Sequence, residues 1–206
     1  MALKRNLIKK WKLYCIIDPS VIKGRDPVKT VNFLSKNGVK AVQLRYKHVP
    51  TYEIVRMAKK IARNAKKRDK IALMINDRPD AVLASCASGV HLGEGDMSVQ
   101  AAKALLGPGF IVGKTVHSIR EAKIAKKEKP DYIGVGAIFP TPLKKNLKSK
   151  GVSSIRKVKI ASGLPTLTIG GINKQNCRKV MESGADGVCV MRAVNRFRGL
   201  LMELKK

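Results

Sequence analysis

The chain has 206 residues, 44% of them hydrophobic, 28% charged and 4% aromatic. That is core-forming material for one medium domain, and the absence of any apolar run of about 18 residues excludes a membrane-spanning helix in the sequence pattern. With 43 Lys and Arg against 14 Asp and Glu the net charge is +29, which attracts anions, but the scarcity of aromatic rings argues against a base-stacking surface for nucleic acid.

Residues 1–12 are basic and lack the apolar block and cleavage site of a signal peptide. They read as a short amphipathic N-terminal helix, an extension ahead of the domain, and a cytoplasmic location is expected. Short runs rich in Val, Ile and Leu then recur at 13–18, 41–45, 71–77, 89–92, 110–116, 132–137, 166–170 and 187–191. Several are apolar on both faces, the pattern of buried parallel strands. Helical spacing appears between them at 27–36, 51–67, 98–105, 119–127, 153–161 and 174–182. A short helix is expected after Pro79 and a last one over 197–204. Turn signals such as Asn37-Gly38, Ser88-Gly89 and Ser183-Gly184 precede strands. Eight strand–helix units predict an α/β chain folded as a (β/α)8 barrel, one domain over 1–206. An open doubly wound sheet is the competing architecture, but the first turn after Asp18 has no G-x-G-x-x-G.

The lysines of 58–68 and 121–127 alternate with apolar residues at helical spacing, as on solvated helix faces. Nonspecific, salt-dependent adhesion to polyanions is expected of them, not specific nucleic-acid recognition. The four cysteines, Cys15, Cys86, Cys177 and Cys189, form no C-x-x-C pair and no zinc spacing, and read as free thiols. The oligomeric state, homo-oligomer included, is left open.

A barrel of this kind builds its site at the C-terminal ends of the strands. The most informative end is Val42-Gln43-Leu44-Arg45-Tyr46-Lys47, where period-2 alternation puts Gln43, Arg45 and Lys47 on one face. Two cations at the end of a buried strand call for an anion or a carboxylate. Asn76-Asp77 ends the third strand and Asp96 follows the fourth. Paired at one rim, the two carboxylates could hold Mg²⁺, although Asp77 could equally cap a helix starting at Pro79. Gly170-Gly171 after the seventh strand admits a phosphate near backbone N–H groups, or forms only a turn. The stretch 139–150 is either a lid carrying Lys144 onto a substrate anion or a solvated basic loop. His91 and His117 each end a strand, where a histidine can orient a ligand, move a proton, or serve structure alone.

Taken in order, these segments resemble the thiamine-phosphate synthase family from about residue 13 to residue 194. The resemblance is carried by Val42-Gln43-Leu44-Arg45-Tyr46-Lys47, Ile75-Asn76-Asp77-Arg78-Pro79-Asp80, and the stretches 89–96, 112–118, 131–141, 169–172 and 184–188. It implies a TIM barrel that joins hydroxymethylpyrimidine diphosphate to hydroxyethylthiazole phosphate, yielding thiamine phosphate and pyrophosphate. It further implies that Gln43, Arg45 and Lys47 grip the diphosphate beside Asn76, and that Asp77 and Asp96 hold Mg²⁺. Thr115 would touch the pyrimidine, with Thr141 and Lys144 in a flexible loop and Gly171 at the thiazole phosphate. Arg45, Lys47, Lys144 and Thr115 would be the catalytic set, and His117 and Arg192 further substrate contacts. Glu94, Thr115, Leu143 and Arg192 depart from the family's usual glutamine, serine, threonine and serine. A related thiazole tautomerase group, with His117 as acid/base, is the second reading, and a non-enzymatic basic barrel that binds RNA or an acidic partner is the third.

Overall fold

The computed structural model describes residues 2–22, 24–66, 71–141 and 149–205. Eight parallel strands, β1 (Leu13–Ile17), β2 (Ala41–Leu44), β3 (Ala72–Asn76), β4 (Gly89–Leu92), β5 (Ile111–Val116), β6 (Tyr132–Gly136), β7 (Thr166–Ile169) and β8 (Gly187–Val190), pair in chain order. β1 also pairs with β8, so the sheet closes into the expected barrel. Around it lie α1 (Ala2–Lys9), α2 (Pro19–Ile22), α3 (Pro27–Lys36), α4 (Thr51–Lys66) and α5 (Pro79–Leu83), followed by α6 (Val99–Leu106), α7 (Ile119–Glu128), α8 (Ser153–Ser162), α9 (Cys177–Glu182) and α10 (Phe197–Glu203). A 3₁₀ turn, Arg192–Arg196, leads into α10. Among the described residues no helix is long and apolar enough to cross a membrane.

Two separate apolar layers explain why most strands read as apolar on both faces. Leu13, Cys15 and Ile17 of β1, with Val42 and Leu44 of β2, point outward into the layer beneath the helices. Tyr14 and Ile16 point inward with Ala41, Met74, Leu167 and Cys189. The register pairs Cys15 with Val42 and Ile16 with Gln43, so outward residues meet outward ones and inward residues meet inward ones. A one-residue slip would reverse both sets at once.

Local chemistry sets the helix starts. Asp26 accepts from the backbone N–H groups of Val28 and Lys29, with Pro27 in the first turn of α3. Ser118 and Glu121 cap α7 reciprocally: Ser118 Oγ accepts from Glu121 N, and Glu121 accepts from Ser118 Oγ and His117 N. The structure departs from the sequence reading at two of these helices. α9 begins at Cys177, three residues late, because Asn173 Oδ1 accepts from Gln175 N and Asn176 N and holds a turn there. α2 is a single turn, too short for periodicity to reveal, and Asp18 Oδ1 accepts from Ser20 N at its start.

The N-terminal extension is helical only to Lys9, and the chain then turns Trp11 into the molecule. Trp11 is fully buried with Ile8 and packs tilted against Tyr14 and edge-on against Tyr132, ring centroids 5.7 Å away in each case. It plugs the N-terminal end of the barrel: a Cβ added to Gly187, at the start of β8, would lie 2.1 Å from Trp11 O. Trp11 Nε1 has no hydrogen-bond partner among the described residues. The indole therefore stabilises by bulk alone. Trp11→Ala is expected to cost roughly 3–5 kcal/mol by the cavity it leaves, and Trp11→Phe less than half of that, because it also removes the unpaired N–H. Chemical denaturation of the two variants side by side checks the order.

Candidate active site

At the C-terminal ends of the strands a cavity of about 350 Å³ opens along the barrel axis, and among its lining residues are Gln43, Arg45, Lys47, Asn76 and Asp77. Thr115, His117, Thr141, Gly170, Gly171 and Arg192 line it as well. The alternation read in the sequence holds: Gln43 faces inward, and Arg45 and Lys47 follow on the same side just past β2, while Tyr46 packs into the outer layer. Arg45 N still bonds Ile17 O at 2.9 Å, which extends the ladder by one residue and aims the guanidinium at the mouth. Its partner is Asp18, 4% exposed, whose other oxygen accepts from Ser20 N and Ser20 Oγ at 3.0 and 2.6 Å. Asp18 thus anchors α2 and orients Arg45 at once. A half-buried guanidinium with a buried carboxylate behind it keeps its remaining N–H groups for an anion in the cavity.

Asp77 sits at φ +64°, a left-handed conformation that Asp tolerates better than most residues and that costs some backbone strain. It does not cap α5: the cap position is Arg78, which makes no side-chain capping bond. Instead the Asp77 carboxyl faces Asp96 and Lys47, with Lys47 Nζ 3.4 Å away. Burial first, and then hydrogen bonding and repulsion from the Asp96 carboxylate, push the Asp77 carboxyl up to about 6, with Lys47 pulling it down. Asp96 also accepts from Gly93 N at 2.6 Å, which curls the loop after β4 toward Asp77, and Lys114 Nζ holds Gly93 O from below at 2.6 Å. Asp96 reaches the site through this contact and does not itself line the cavity. Two carboxylates that repel one another across a half-buried contact suit a hard divalent cation, and two protein oxygens leave most of an octahedral shell to water and ligand. No group of three or more potential metal ligands occurs among the described residues.

A chain of polar side chains runs along the cavity floor. Gln43 Nε2 donates to the Tyr14 hydroxyl at 2.9 Å, the Tyr14 and Tyr132 hydroxyls are 3.3 Å apart, and His91 Nδ1 lies 2.9 Å from the Tyr132 hydroxyl. His91 Nε2 ends the chain on Thr115 Oγ1 at 2.9 Å. Burial pushes the His91 imidazole down to about 4 and raises both tyrosines above their usual range, so all three are neutral near pH 7. Beyond Thr115, His117 Nδ1 lies 3.1 Å from Gly136 O. Opposite the cations, Gly171 adopts φ +63°, and a Cβ there would lie 2.6 Å from Pro140 O, so only glycine fits where the backbone turns toward the mouth.

The model of the thiamine monophosphate synthase family matches residues 13–194, the span of the barrel. The chain belongs to this family. Among curated relatives, the thiamine-phosphate synthase of Caldanaerobacter subterraneus subsp. tengcongensis is 41% identical over 88% of this chain and 85% of its own length. That of Pyrococcus furiosus is 37% identical over 92% of this chain and 89% of its own length. A solved thiamine phosphate pyrophosphorylase from Pyrococcus furiosus superposes with a TM-score of 0.86 at 33% identity, covering 97% of this chain and 98% of that one.

Within this thiamine monophosphate synthase barrel, Gln43, Arg45, Lys47, Asn76, Asp77, Thr115, His117, Thr141, Gly171 and Arg192 converge on one cavity, although they are scattered over about 150 positions of sequence. Lys144 lies outside the described residues, as does Leu143. Arg192 opens the 3₁₀ turn after β8, exposed at the rim. Sequence reasoning missed one pairing and two contributors. Asp18 was visible as a polar strand end, but its pairing with Arg45 needs the β1–β2 register. Tyr14 and Tyr132 look like ordinary core aromatics inside apolar runs, and nothing local distinguishes them.

The acidic pair predicts a pH-dependent stability. A carboxyl whose folded pKa is raised stabilises the fold only while protonated: the contribution is complete below the unfolded value near ~4 and is lost as pH climbs through about 6. Metal-free Asp96→Asn is therefore expected to melt a few degrees above the metal-free parent at pH 7.5 and to match it at pH 4.5. Mg²⁺ should raise the parent's melting temperature more at pH 7.5 than at pH 5, and leave Asp96→Asn almost unmoved. Calorimetry with and without chelator reads all of these.

Proposed function

We propose that the chain joins hydroxymethylpyrimidine diphosphate to hydroxyethylthiazole phosphate, releasing pyrophosphate and forming thiamine phosphate. The observation that carries this reading is the meeting of Arg45, Lys47 and Asp77 at one cavity, with the Gly170-Gly171 turn on the same rim. The first group suits a diphosphate and the second a phosphate monoester, so one site accommodates both substrates.

Loss of pyrophosphate from a pyrimidinylmethyl carbon leaves a cation that the electron-rich ring stabilises, while negative charge gathers on the departing oxygens. Arg45, held by Asp18, and Lys47 face that charge as it develops, and Asn76 provides a polar contact beside them. Gln43, assigned to the diphosphate by the sequence resemblance, instead has its Nε2 held by Tyr14 and leaves an amide oxygen that suits the pyrimidine better than an anion. Asp77 and Asp96 would hold Mg²⁺, and the bound cation would supply further neutralisation of the diphosphate. Lys144 joins this set by its place in the family's loop motif. Thr115 touches the pyrimidine, Gly171 contacts the thiazole phosphate, and Thr141, His117 and Arg192 are further substrate contacts lining the same cavity. The thiazole nitrogen attacks the carbon directly, so no protein nucleophile is required and positioning supplies the rest. Residues 1–206 act as one domain, with 1–12 as its plug-bearing extension, and the four free thiols support a cytoplasmic location.

With both substrates and Mg²⁺ the protein is expected to release pyrophosphate stoichiometrically with thiamine phosphate. Arg45→Ala should lower kcat/KM by ~100-fold or more, the cost of removing one charge-stabilising donor set. No release, together with conversion of a thiazole carboxylate tautomer, would overturn the reading.

A further inference from the structure

The chain of hydrogen bonds along the cavity floor has a direction that its own stoichiometry dictates. It starts at an N–H group, because Gln43 turns Nε2 toward Tyr14. Tyr14 accepts there, so its proton must go to its other partner among the described residues, the Tyr132 hydroxyl. Tyr132 then accepts from Tyr14 and gives its proton to His91 Nδ1. An imidazole accepting at Nδ1 carries its proton on Nε2, and that N–H donates to Thr115 Oγ1. The Thr115 hydroxyl, its oxygen engaged from behind, keeps its own proton for the cavity. At the other end Gln43, which lines the cavity, keeps its amide oxygen as an acceptor. With Gln43 in this orientation, running the rest of the chain backwards would make Tyr14 accept twice and leave its proton without a partner in a fully buried place.

The packing supports a built device. Tyr132 is fully buried, and its ring occupies the space over Gly113, where a Cβ would lie 2.2 Å from a ring carbon. His91 stacks on that ring at 5.4 Å between centroids, and Trp11 and Tyr14 close in from below. Each member is wedged by its neighbours, so no hydroxyl can turn without breaking a bond elsewhere in the chain.

We propose that Tyr14, Tyr132 and His91 are positioning residues that set a one-way hydrogen-bond polarity across the cavity floor, presenting an acceptor at Gln43 and a donor at Thr115, and thereby select an aminopyrimidine over its oxo counterpart. An aminopyrimidine offers an amino donor and ring-nitrogen lone pairs. In the oxo form a carbonyl replaces the amino group and the adjacent ring nitrogen carries a proton, so both polarities reverse and donor would face donor. The proposal rests on the pyrimidine substrate of the preceding section.

Two measurements on the full chain test it. Ring ¹⁵N NMR, with His91 assigned by its loss in His91→Gln, is expected to show the Nε2–H tautomer; an Nδ1–H tautomer would mean the chain runs the other way and would overturn the proposal. In kinetics the wild type should favour 4-amino over 4-oxo hydroxymethylpyrimidine diphosphate by ~100-fold or more in kcat/KM. Tyr132→Phe, which frees Thr115 to reverse, should shrink that ratio ~10-fold while inhibition by inorganic pyrophosphate stays unchanged, since Arg45 and Lys47, the cations that face the diphosphate, lie outside the chain. An undiminished ratio would overturn the proposal. Should Tyr132→Phe not fold, Thr115→Val against Thr115→Ser carries the same test: loss of selectivity in the first and retention in the second. If the wild type releases no pyrophosphate from either diphosphate, the synthase reading fails, and the tautomer still decides the direction of the chain.

Discussion

Closure of the sheet governs everything else in this molecule. In eight parallel strands paired in a ring, an inward side chain near a C-terminal strand end has nowhere to point except the common axis. Gln43 on β2, His91 on β4, Thr115 on β5 and Tyr132 on β6 are remote in sequence, yet closure places them within one hydrogen-bonded chain. The same closure needs a plug at the opposite end, and Trp11 fills it. The residue that seals the bottom of the barrel is also the surface on which Tyr14 and Tyr132 rest. Stability and site geometry are therefore coupled through one aromatic cluster.

Electrostatics at the mouth works by pairing each charge with a counter-charge that leaves it only partly satisfied. Arg45 leans on Asp18, and Lys47 on Asp77, while Asp77 and Asp96 repel one another. An anion arriving at the cations and a divalent cation arriving at the carboxylates each complete an arrangement the folded chain leaves open. The net charge of +29 lies largely elsewhere. Lys59, Lys60, Arg63, Lys123, Lys126 and Lys127 are exposed on outer helix faces, where they set a field that draws anions toward the molecule without shaping the site.

Much of this was legible in the sequence, for identifiable reasons. Buried parallel strands are apolar on both faces, so β1 to β8 stand out within a residue or so at each end. The period-2 alternation of residues 42–47 already put Gln43, Arg45 and Lys47 on one side, and the structure keeps them there. Asp77 carried two readings, a helix cap or a metal carboxylate; its left-handed backbone turns the side chain away from α5 and toward Asp96, which removes the first. The late start of α9 and the single-turn α2 were not legible, because both depend on one side-chain oxygen closing a local turn rather than on any periodic pattern.

By itself, the order of residues along the chain determined the alternation of strand and helix, the closed architecture that eight such units favour, and the identity of the polar groups at the strand ends. These follow from periodicity and local turn chemistry, which act over a few neighbouring positions. Only the tertiary structure decided which of those groups touch: that Arg45 is backed by Asp18, that Asp77 shares its space with Asp96, and that two unremarkable tyrosines link Gln43 to His91. Such contacts depend on strand register and on the curvature of the closed sheet, and no local pattern encodes a distance across a barrel.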